Sequence, residues 1–342
     1  MSGGRGHVIK PKNEVPRLII IVFALAGLVA ILTMISFFAP GVVDFFFQDE
    51  PLINDNRTWI TSQWTQTERR DEEFASLIAI LEDNGITQVY VQTHIWRPDT
   101  GELAQLPFSR TFLSRIKRDS VILNVYAWLT VDQSQLFDSN AREQITQAAR
   151  IAAREDGFDG IHLQARFVPD NSEDFMTLLR DLHASMGPRV PLSITVPPDR
   201  TPTDPDVPPS PGVDDALTWS QDFKRRVALN VNEMALMGHA SGLESVEDYE
   251  NWLAYQVATY AQIIDGLDIP MALIVALPTY EAELGHNPEV ENVESALNGI
   301  SEGILRARGA GNEVDGVGLY PWEDTDLHEL DAYWAGWAAE RR

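Results

Sequence analysis

The chain of 342 residues contains no cysteine and few basic residues, with 26 lysines and arginines against 51 aspartates and glutamates. The missing cysteine excludes disulfide bonds, thiolate metal sites and a lipidated N-terminal cysteine. The net charge of −25 argues against nucleic acid as a partner, because phosphate binding requires a basic surface. No glycine-rich phosphate-binding turn follows an early strand, so the sequence offers no nucleotide-binding signature. We predict no cofactor.

An uncharged apolar run covers residues 18–38, "LIIIVFALAGLVAILTMISFF". It has about the ~20 residues that a helix needs to cross the hydrocarbon core of a bilayer. A cleaved secretory signal is the alternative, although such signals have shorter apolar cores and a small-residue cleavage site. We predict a transmembrane anchor at 18–39, a cytoplasmic tail at 1–17 and a juxtamembrane linker at 40–56.

Charge flanks this run unevenly. Residues 1–17 carry +3, and the rest of the chain therefore carries −28. Because positive charge is retained on the cytoplasmic side, the asymmetry places the N-terminus in the cytoplasm and residues 57–342 outside the cell. The predicted partners are the membrane and, outside it, an extracellular glycan.

From residue 57 onward, short apolar runs alternate with amphipathic stretches of helical period. Eight such pairs argue for a (β/α)8 TIM barrel of the α/β class, which we assign to residues 57–342. A long proline-rich loop, 197–215, follows the fifth strand and should overhang the functional face. The strands are predicted at 58–64, 88–96, 121–129, 159–167, 191–197, 232–239, 271–278 and 316–322.

In a barrel strand every second side chain points inward, and functional groups lie at the C-terminal ends. In the fourth strand the inward set that ends at the mouth is His162, Gln164 and Arg166. The stretch that contains them, "FDGIHLQAR", resembles the family-18 glycoside hydrolases and their chitinase-like relatives, whose fourth strand carries D-x-x-D-x-D-x-E.

The resemblance implies that Asp159 matches the first aspartate of that motif. His162 and Gln164 then occupy the other two aspartate positions, and Arg166 occupies the position of the catalytic glutamate. Arginine remains charged at neutral pH and cannot serve as a general acid. The motif is therefore degenerate, and we predict no catalytic residue among these four.

Two further stretches carry the resemblance. "MALMGHA" (234–240) is similar to the M-x-Y-D ending of the family's sixth strand, with Met237 matching, His239 at the tyrosine position and Ala240 at the aspartate position. "GVGLYPW" is similar to the eighth strand, whose closing tryptophan forms the floor of the sugar subsite. Trp322 takes that place here.

The sequence leaves two functions open. The first is a membrane-anchored glycan-binding or scaffolding barrel without the ancestral reaction, and the second is an active glycoside hydrolase with displaced carboxylates. A glycosidase ordinarily needs two carboxyl groups at a defined separation. The residues that could supply them are Asp132, Asp170, Glu281, Glu323 and Asp324.

Ligand contacts are predicted from aromatic and polar residues at strand ends, where rings either stack on sugars or plug the barrel. We expect weak binding of an acidic or polyhydroxylated glycan, stacked on Trp322 and clamped by Arg166. Arg166 could instead pair with Glu323, Asp324 or Asp132. A zinc site of His94, His162 and His239 is weighed and not predicted. The predicted ligand-binding set is Trp64, His94, Trp96, Tyr126, Trp128, Arg166, Met237, His239, Tyr320 and Trp322.

Overall fold

The computed structural model describes residues 56–199, 207–267 and 269–339. Eight parallel strands close into a barrel in the order β1, β2, β5, β6, β7, β8, β9, β10, with β10 pairing back to β1. The predicted α/β barrel is confirmed. The strands are β1 (Asn56–Ile60), β2 (Ile86–Gln92), β3 (His94–Arg97), β4 (Glu102–Gln105), β5 (Asn124–Val131), β6 (Gly160–Ala165), β7 (Leu192–Val196), β8 (Glu233–Leu236), β9 (Ala272–Pro278) and β10 (Val314–Tyr320).

Helices follow the strands and cover the barrel. Their apolar faces pack inward, as in α5, where Ile145, Ala148 and Ala149 are buried as their spacing predicts. The helices are α1 (Gln63–Gln66), α2 (Asp71–Asp83), α3 (Ser109–Asp119), α4 (Gln133–Phe137), α5 (Ser139–Ile151), α6 (Glu173–Met186), α7 (Gln221–Ala228), α8 (Val246–Asp265), α9 (Val293–Ala307) and α10 (Leu327–Tyr333).

Three predicted strands extend well beyond their observed ends. The sixth, predicted to reach residue 239, ends at Leu236. The first ends at Ile60, and residues from Gln63 are helical. The second ends at Gln92, because residues 94–97 leave the barrel and pair antiparallel with β4 as a separate hairpin. A two-residue period cannot distinguish one long strand from two strands that belong to different sheets.

The interior of the barrel is filled by rings rather than by aliphatic layers alone. Trp59, Tyr90 and Trp128 form an internal cluster. Two strand glycines make room for rings, because a Cβ on Gly160 would lie 2.6 Å from the Tyr126 ring and one on Gly318 would lie 2.5 Å from the Trp59 ring.

An ion pair lies deeper in the barrel. The guanidinium of Arg57 donates to Glu233 Oε2 from Nε at 3.0 Å and from Nη2 at 2.8 Å, and the Tyr90 hydroxyl donates to Glu233 Oε1. Burial opposes ionisation of Glu233, but Arg57 and these hydrogen bonds hold the pKa of that carboxyl below its ordinary value. The pair closes the barrel centre and leaves any ligand site to its mouth.

The predicted anchor at 18–39, the tail and the linker as far as residue 55 lie outside the described residues, and Asn56, the last residue of the predicted linker, begins β1. Within the described part of the chain, no helix is long and apolar enough to span a bilayer.

Candidate functional site

A cavity of about 290 Å³ opens at the mouth of the barrel, meaning the C-terminal ends of its strands. We call it the mouth pocket. Its walls come from the ends of β6, β7 and β8, from Tyr320 at the end of β10, and from the second half of the proline-rich loop with the segment that follows. The lining residues are 164–168, 195–198, 212–214, 217–219, Met237, His239, Ala240 and Tyr320. This is the face where functional sites of such barrels lie.

Most of the lining is apolar, with polar groups at a few positions, as is usual for small-molecule sites. The Gln164 amide donates to the Tyr320 hydroxyl over a long 3.4 Å, and the Thr195 hydroxyl accepts from Ala165 N at 3.2 Å. The ring of His239 stacks on Tyr320 with a centroid distance of 5.3 Å, and its Nδ1 lies 2.6 Å from the Tyr280 hydroxyl. Burial lowers the pKa of His239 to about 4, so the imidazole is neutral at physiological pH.

Two lining residues have strained backbones. Phe167 has φ 59° and Ala240 has φ 57°, both in the left-handed region that disfavours residues with a side chain. Such outliers persist where the surrounding structure imposes them, and they cluster at functional sites. That two of them line one cavity supports a functional role for the mouth pocket.

The strain at Ala240 is imposed by the buried carboxylate of Glu291. It accepts hydrogen bonds from Ala240 N at 2.7 Å and Ser241 N at 2.8 Å, and His286 Nδ1 lies 2.8 Å away. The Ser241 carbonyl in turn accepts from Gly212 N at 2.7 Å, which ties the proline-rich loop to the end of β8. The wall is thus fixed by charge-assisted bonds to backbone groups.

Six of the residues singled out from the sequence meet in the mouth pocket: Gln164, Arg166, Met237, His239, Ala240 and Tyr320. Arg166 is exposed at its rim. Among the described residues no carboxylate lies within 4.0 Å of its guanidinium, so the ion pair with Glu323, Asp324 or Asp132, which the sequence left open as an alternative, does not form.

His162 lies beneath the pocket and is fully buried. Trp59 Nε1 can only donate, so His162 Nε2 accepts from it at 2.9 Å, and the proton on Nδ1 faces Ser193 Oγ at 2.7 Å. Burial lowers the pKa of His162 to about 3. The hydrogen bond from Trp59, a residue that the sequence did not single out, thus holds this imidazole inside the barrel and away from the mouth pocket.

Asp159, the one acid of the fourth-strand motif that is retained, serves the fold. Its carboxylate accepts hydrogen bonds from Val125 N at 2.7 Å and from Lys117. These contacts lie at the start of β6, away from the C-terminal strand ends that form the mouth of the barrel. The position therefore ties two neighbouring strands together.

The remaining aromatic candidates lie outside the mouth-pocket lining. Trp64 belongs to α1 and packs on Phe74 and Phe112, and Trp96 donates to Thr130 O at 2.9 Å from the hairpin. Trp128 belongs to the internal cluster of the barrel, and Tyr126 packs against that cluster. Trp322 is half-buried and packs against the hydrophobic core.

The five carboxylates considered as displaced catalytic acids have separate environments. Asp132 accepts from Ser134 N at 2.9 Å as the N-cap of α4, and Asp170 accepts from Ser220 N at 2.8 Å. Glu281 and Asp324 are exposed.

Glu323 differs from these four. Its Oε1 accepts from Thr61 N at 2.8 Å, while its Oε2 is buried without a hydrogen-bond partner among the described residues. Burial raises the pKa of this carboxyl.

The three histidines that were considered as zinc ligands do not lie together. His94 lines a separate surface groove beside α5, His162 is inside the barrel, and His239 is at the mouth pocket. Among the described residues no cluster of three or more histidines and acids could hold a metal ion.

Sequence reasoning missed Phe167, Asp214 and Trp219 in the lining. Phe167 lies just beyond the strand, where alternation no longer predicts direction. Asp214 comes from the end of the proline-rich loop and Trp219 from the segment that follows it. Trp219 is placed by its indole N–H, which donates to Val168 O at 2.9 Å. Such contacts span some fifty residues and leave no local signal.

No protein-family model matches the chain, and no curated protein matches it. Solved structures do. A class V chitinase from Pseudomonas fluorescens Pf-5 is 15% identical with a TM-score of 0.53, over 83% of this chain and 99% of that one. The spore cortex-lytic enzyme SleL of Bacillus cereus is 8% identical with a TM-score of 0.54, over 82% and 73%.

A third neighbour is a chitinase-like agglutinin from Robinia pseudoacacia, 12% identical with a TM-score of 0.51, over 82% of this chain and 99% of that one. At these identities the likeness shows the fold. The chain has a chitinase-like TIM barrel, and the resemblance inferred from its fourth, sixth and eighth strands is confirmed at that level.

Proposed function

We propose that this protein is a glycan-binding barrel, anchored in the membrane by residues 18–39 and exposed outside the cell, which does not hydrolyse its ligand. The observation that carries the proposal is the chemistry of the mouth pocket. Arg166 stands at the position that the family resemblance assigns to the catalytic glutamate, and it lines the pocket with Gln164, His239 and Tyr320.

Absence of a carboxyl pair supports binding over hydrolysis. Among the described lining residues the one carboxylate is Asp214, and it already accepts from Ala216 N at 2.9 Å as a helix cap. Hydrolysis requires at least one carboxyl group that is free to protonate the glycosidic oxygen, and most glycosidases use a second one beside the scissile bond. A single carboxylate committed to a cap supplies neither.

The structural neighbours are compatible with either activity. Two are named as a chitinase and a cortex-lytic enzyme, and one as a chitinase-like agglutinin. The barrel therefore occurs in proteins named for agglutination as well as in proteins named for cleavage.

A glycan array followed by calorimetry tests the proposal. We expect binding to at least one glycan, lost in a Thr195→Trp variant that fills the pocket, and no release of product over prolonged incubation. Absence of binding to every glycan would overturn the binding function, and product release would overturn the non-hydrolytic part.

A displaced hydrolase is the second candidate, and Glu323 is the observation in its favour. A carboxyl group whose pKa is raised by burial is what a general acid requires. If product is released, Glu323→Gln should abolish it, while Asp324→Asn at the exposed neighbouring position should not.

A further inference from the structure

The rim of the mouth pocket carries an aromatic ring in a strained position next to a cation. Phe167 is 54% exposed, although its ring is apolar and its backbone lies in the left-handed region at φ 59°. A bulky residue in that conformation is an outlier, and packing does not explain it, because half of the side chain contacts solvent.

Hydrogen bonds on both sides impose this conformation. Before it, Arg166 N donates to Val131 O at 2.8 Å, which extends the β6 pairing by one residue. After it, the Val168 carbonyl accepts from buried Trp219 at 2.9 Å. With both neighbours held, the turn at Phe167 directs its ring to the pocket rim instead of into the core.

Arg166 completes the arrangement. Its guanidinium carbon lies 5.9 Å from the centroid of the Phe167 ring, and it has no carboxylate partner within 4.0 Å among the described residues. The ring offers an apolar face on which a sugar can stack, and the guanidinium offers paired N–H donors that match a carboxylate.

We infer that Arg166 and Phe167 form one ligand-binding element that selects glycans carrying a carboxylate, with the sugar ring on Phe167 and the carboxylate on Arg166. This rests on the proposed glycan-binding function and names its ligand class. Asp214 repels an anion, so the carboxylate is held at the Arg166 rim, away from the 212–214 wall. The stacking role passes from Trp322, which packs on the core, to Phe167.

The Phe167→Gly variant distinguishes a role of Phe167 in ligand binding from a role in folding. Glycine adopts positive φ without strain, so Phe167→Gly should leave the urea midpoint unchanged or raise it, yet weaken binding of an acidic glycan about tenfold. Asn171→Gly is the matched control, because Asn171 also has positive φ, at 56°, and does not line the pocket. The Asn171→Gly control should leave binding unchanged and should not lower the urea midpoint.

Charge is tested with Arg166→Gln and a panel of trisaccharides ending in glucuronate, galacturonate or sialate, each beside its neutral counterpart. The full-length chain should bind at least one acidic member tenfold or more tightly than its counterpart. Arg166→Gln should weaken that binding about tenfold to a hundredfold, and should weaken any binding of the neutral counterpart by a smaller factor, so that the preference for the acidic member is lost. Trp322→Ala should retain the preference.

The failures can be told apart. Equal binding of acidic and neutral members, unchanged binding by Phe167→Gly, or a midpoint for that variant below that of the unaltered chain would each overturn the inference and leave glycan binding standing. Binding of no member, together with an empty glycan array, would overturn both.

Discussion

Lys224 on α7 and Asp199 at the start of the proline-rich loop form an ion pair behind the mouth pocket, with Nζ 2.6 Å from Oδ2 and the lysine side chain fully buried. The ammonium also lies 4.8 Å from the centroid of the Tyr260 ring. Burial lowers the pKa of Lys224, and the nearby Asp199 carboxylate opposes that shift.

Tyr260 and Asp199, together with Gln256, hold the pocket wall. The Tyr260 hydroxyl donates to Pro197 O at 2.6 Å, and Gln256 exchanges hydrogen bonds with the Asp199 backbone in both directions. Pro197 and Pro198 line the pocket. Since a buried ion pair is seldom more stabilising than an apolar contact, its value here lies in fixing where the loop begins.

Lys224→Met should lower the free energy of unfolding by about 3 kcal/mol or more, because it removes the fully buried cation that pairs with the Asp199 carboxylate. Urea denaturation measures the change. The matched control is Arg225→Met on the same helix, whose exposed partner Asp222 lies 3.5 Å away and whose loss should cost less than about 1 kcal/mol. Equal effects of the two variants would contradict the buried-pair account.

Below pH 6.5 the free energy of unfolding should decrease as the pH is lowered, in part because of buried histidines. Burial lowers the pKa of His94 to about 4, so between that value and 6.5 its imidazole binds a proton in the unfolded chain only. Each such group removes up to about 1.4 kcal/mol per pH unit as pH falls through this window. Burial raises the pKa of Glu329 to about 7, which acts in the opposite direction, so a variant must isolate the effect.

His94→Gln provides that comparison. Between pH 6 and 5 its unfolding free energy should depend on pH about 1 kcal/mol per unit less steeply than that of the unaltered chain. Urea titrations at several pH values measure both slopes. Parallel slopes, or an imidazole that titrates near 6.5 by nuclear magnetic resonance, would show that His94 is not held neutral.

Arg166→Glu should not create chitinase activity. The substitution restores the acid that the family resemblance places there, but Gln164 and Ala240 still stand at aspartate positions, and His162 is committed to Trp59 and Ser193. Catalytic groups that act as a unit are strongly non-additive, so one of them recovers little. Hydrolysis of a chitin oligomer, with an active chitinase as the positive control, decides this; turnover by the variant would mean that the other positions have been misassigned.

Residues 18–39 should keep the chain in the membrane fraction after alkaline washing, with the barrel outside. Protease added to intact cells should remove an epitope at the C-terminus and spare one at the N-terminus, because the basic residues of 1–17 favour the cytoplasmic side. Loss of the N-terminal epitope alone would show that the chain has the opposite orientation. Recovery of the barrel from the medium would show that residues 18–39 are a cleaved signal.

The sequence by itself determined the barrel and the face on which its pocket lies. Alternating apolar runs and helical periods are local properties, so eight strand positions could be read directly, and alternation within β6 placed Gln164 on the inner face at the mouth. The strands predicted to reach Trp64 and Trp96 were too long, because periodicity does not show where a strand leaves the sheet.

Only the tertiary structure decided which residues share the pocket and which are taken up by the fold. His162 and Gln164 have the same parity, but one is enclosed by Trp59 and the other reaches Tyr320, a difference set by residues more than a hundred positions away. The left-handed turn at Phe167 likewise depends on Val131 and Trp219. Side-chain exposure and backbone strain arise from contacts between distant segments, and no local pattern in the chain encodes them.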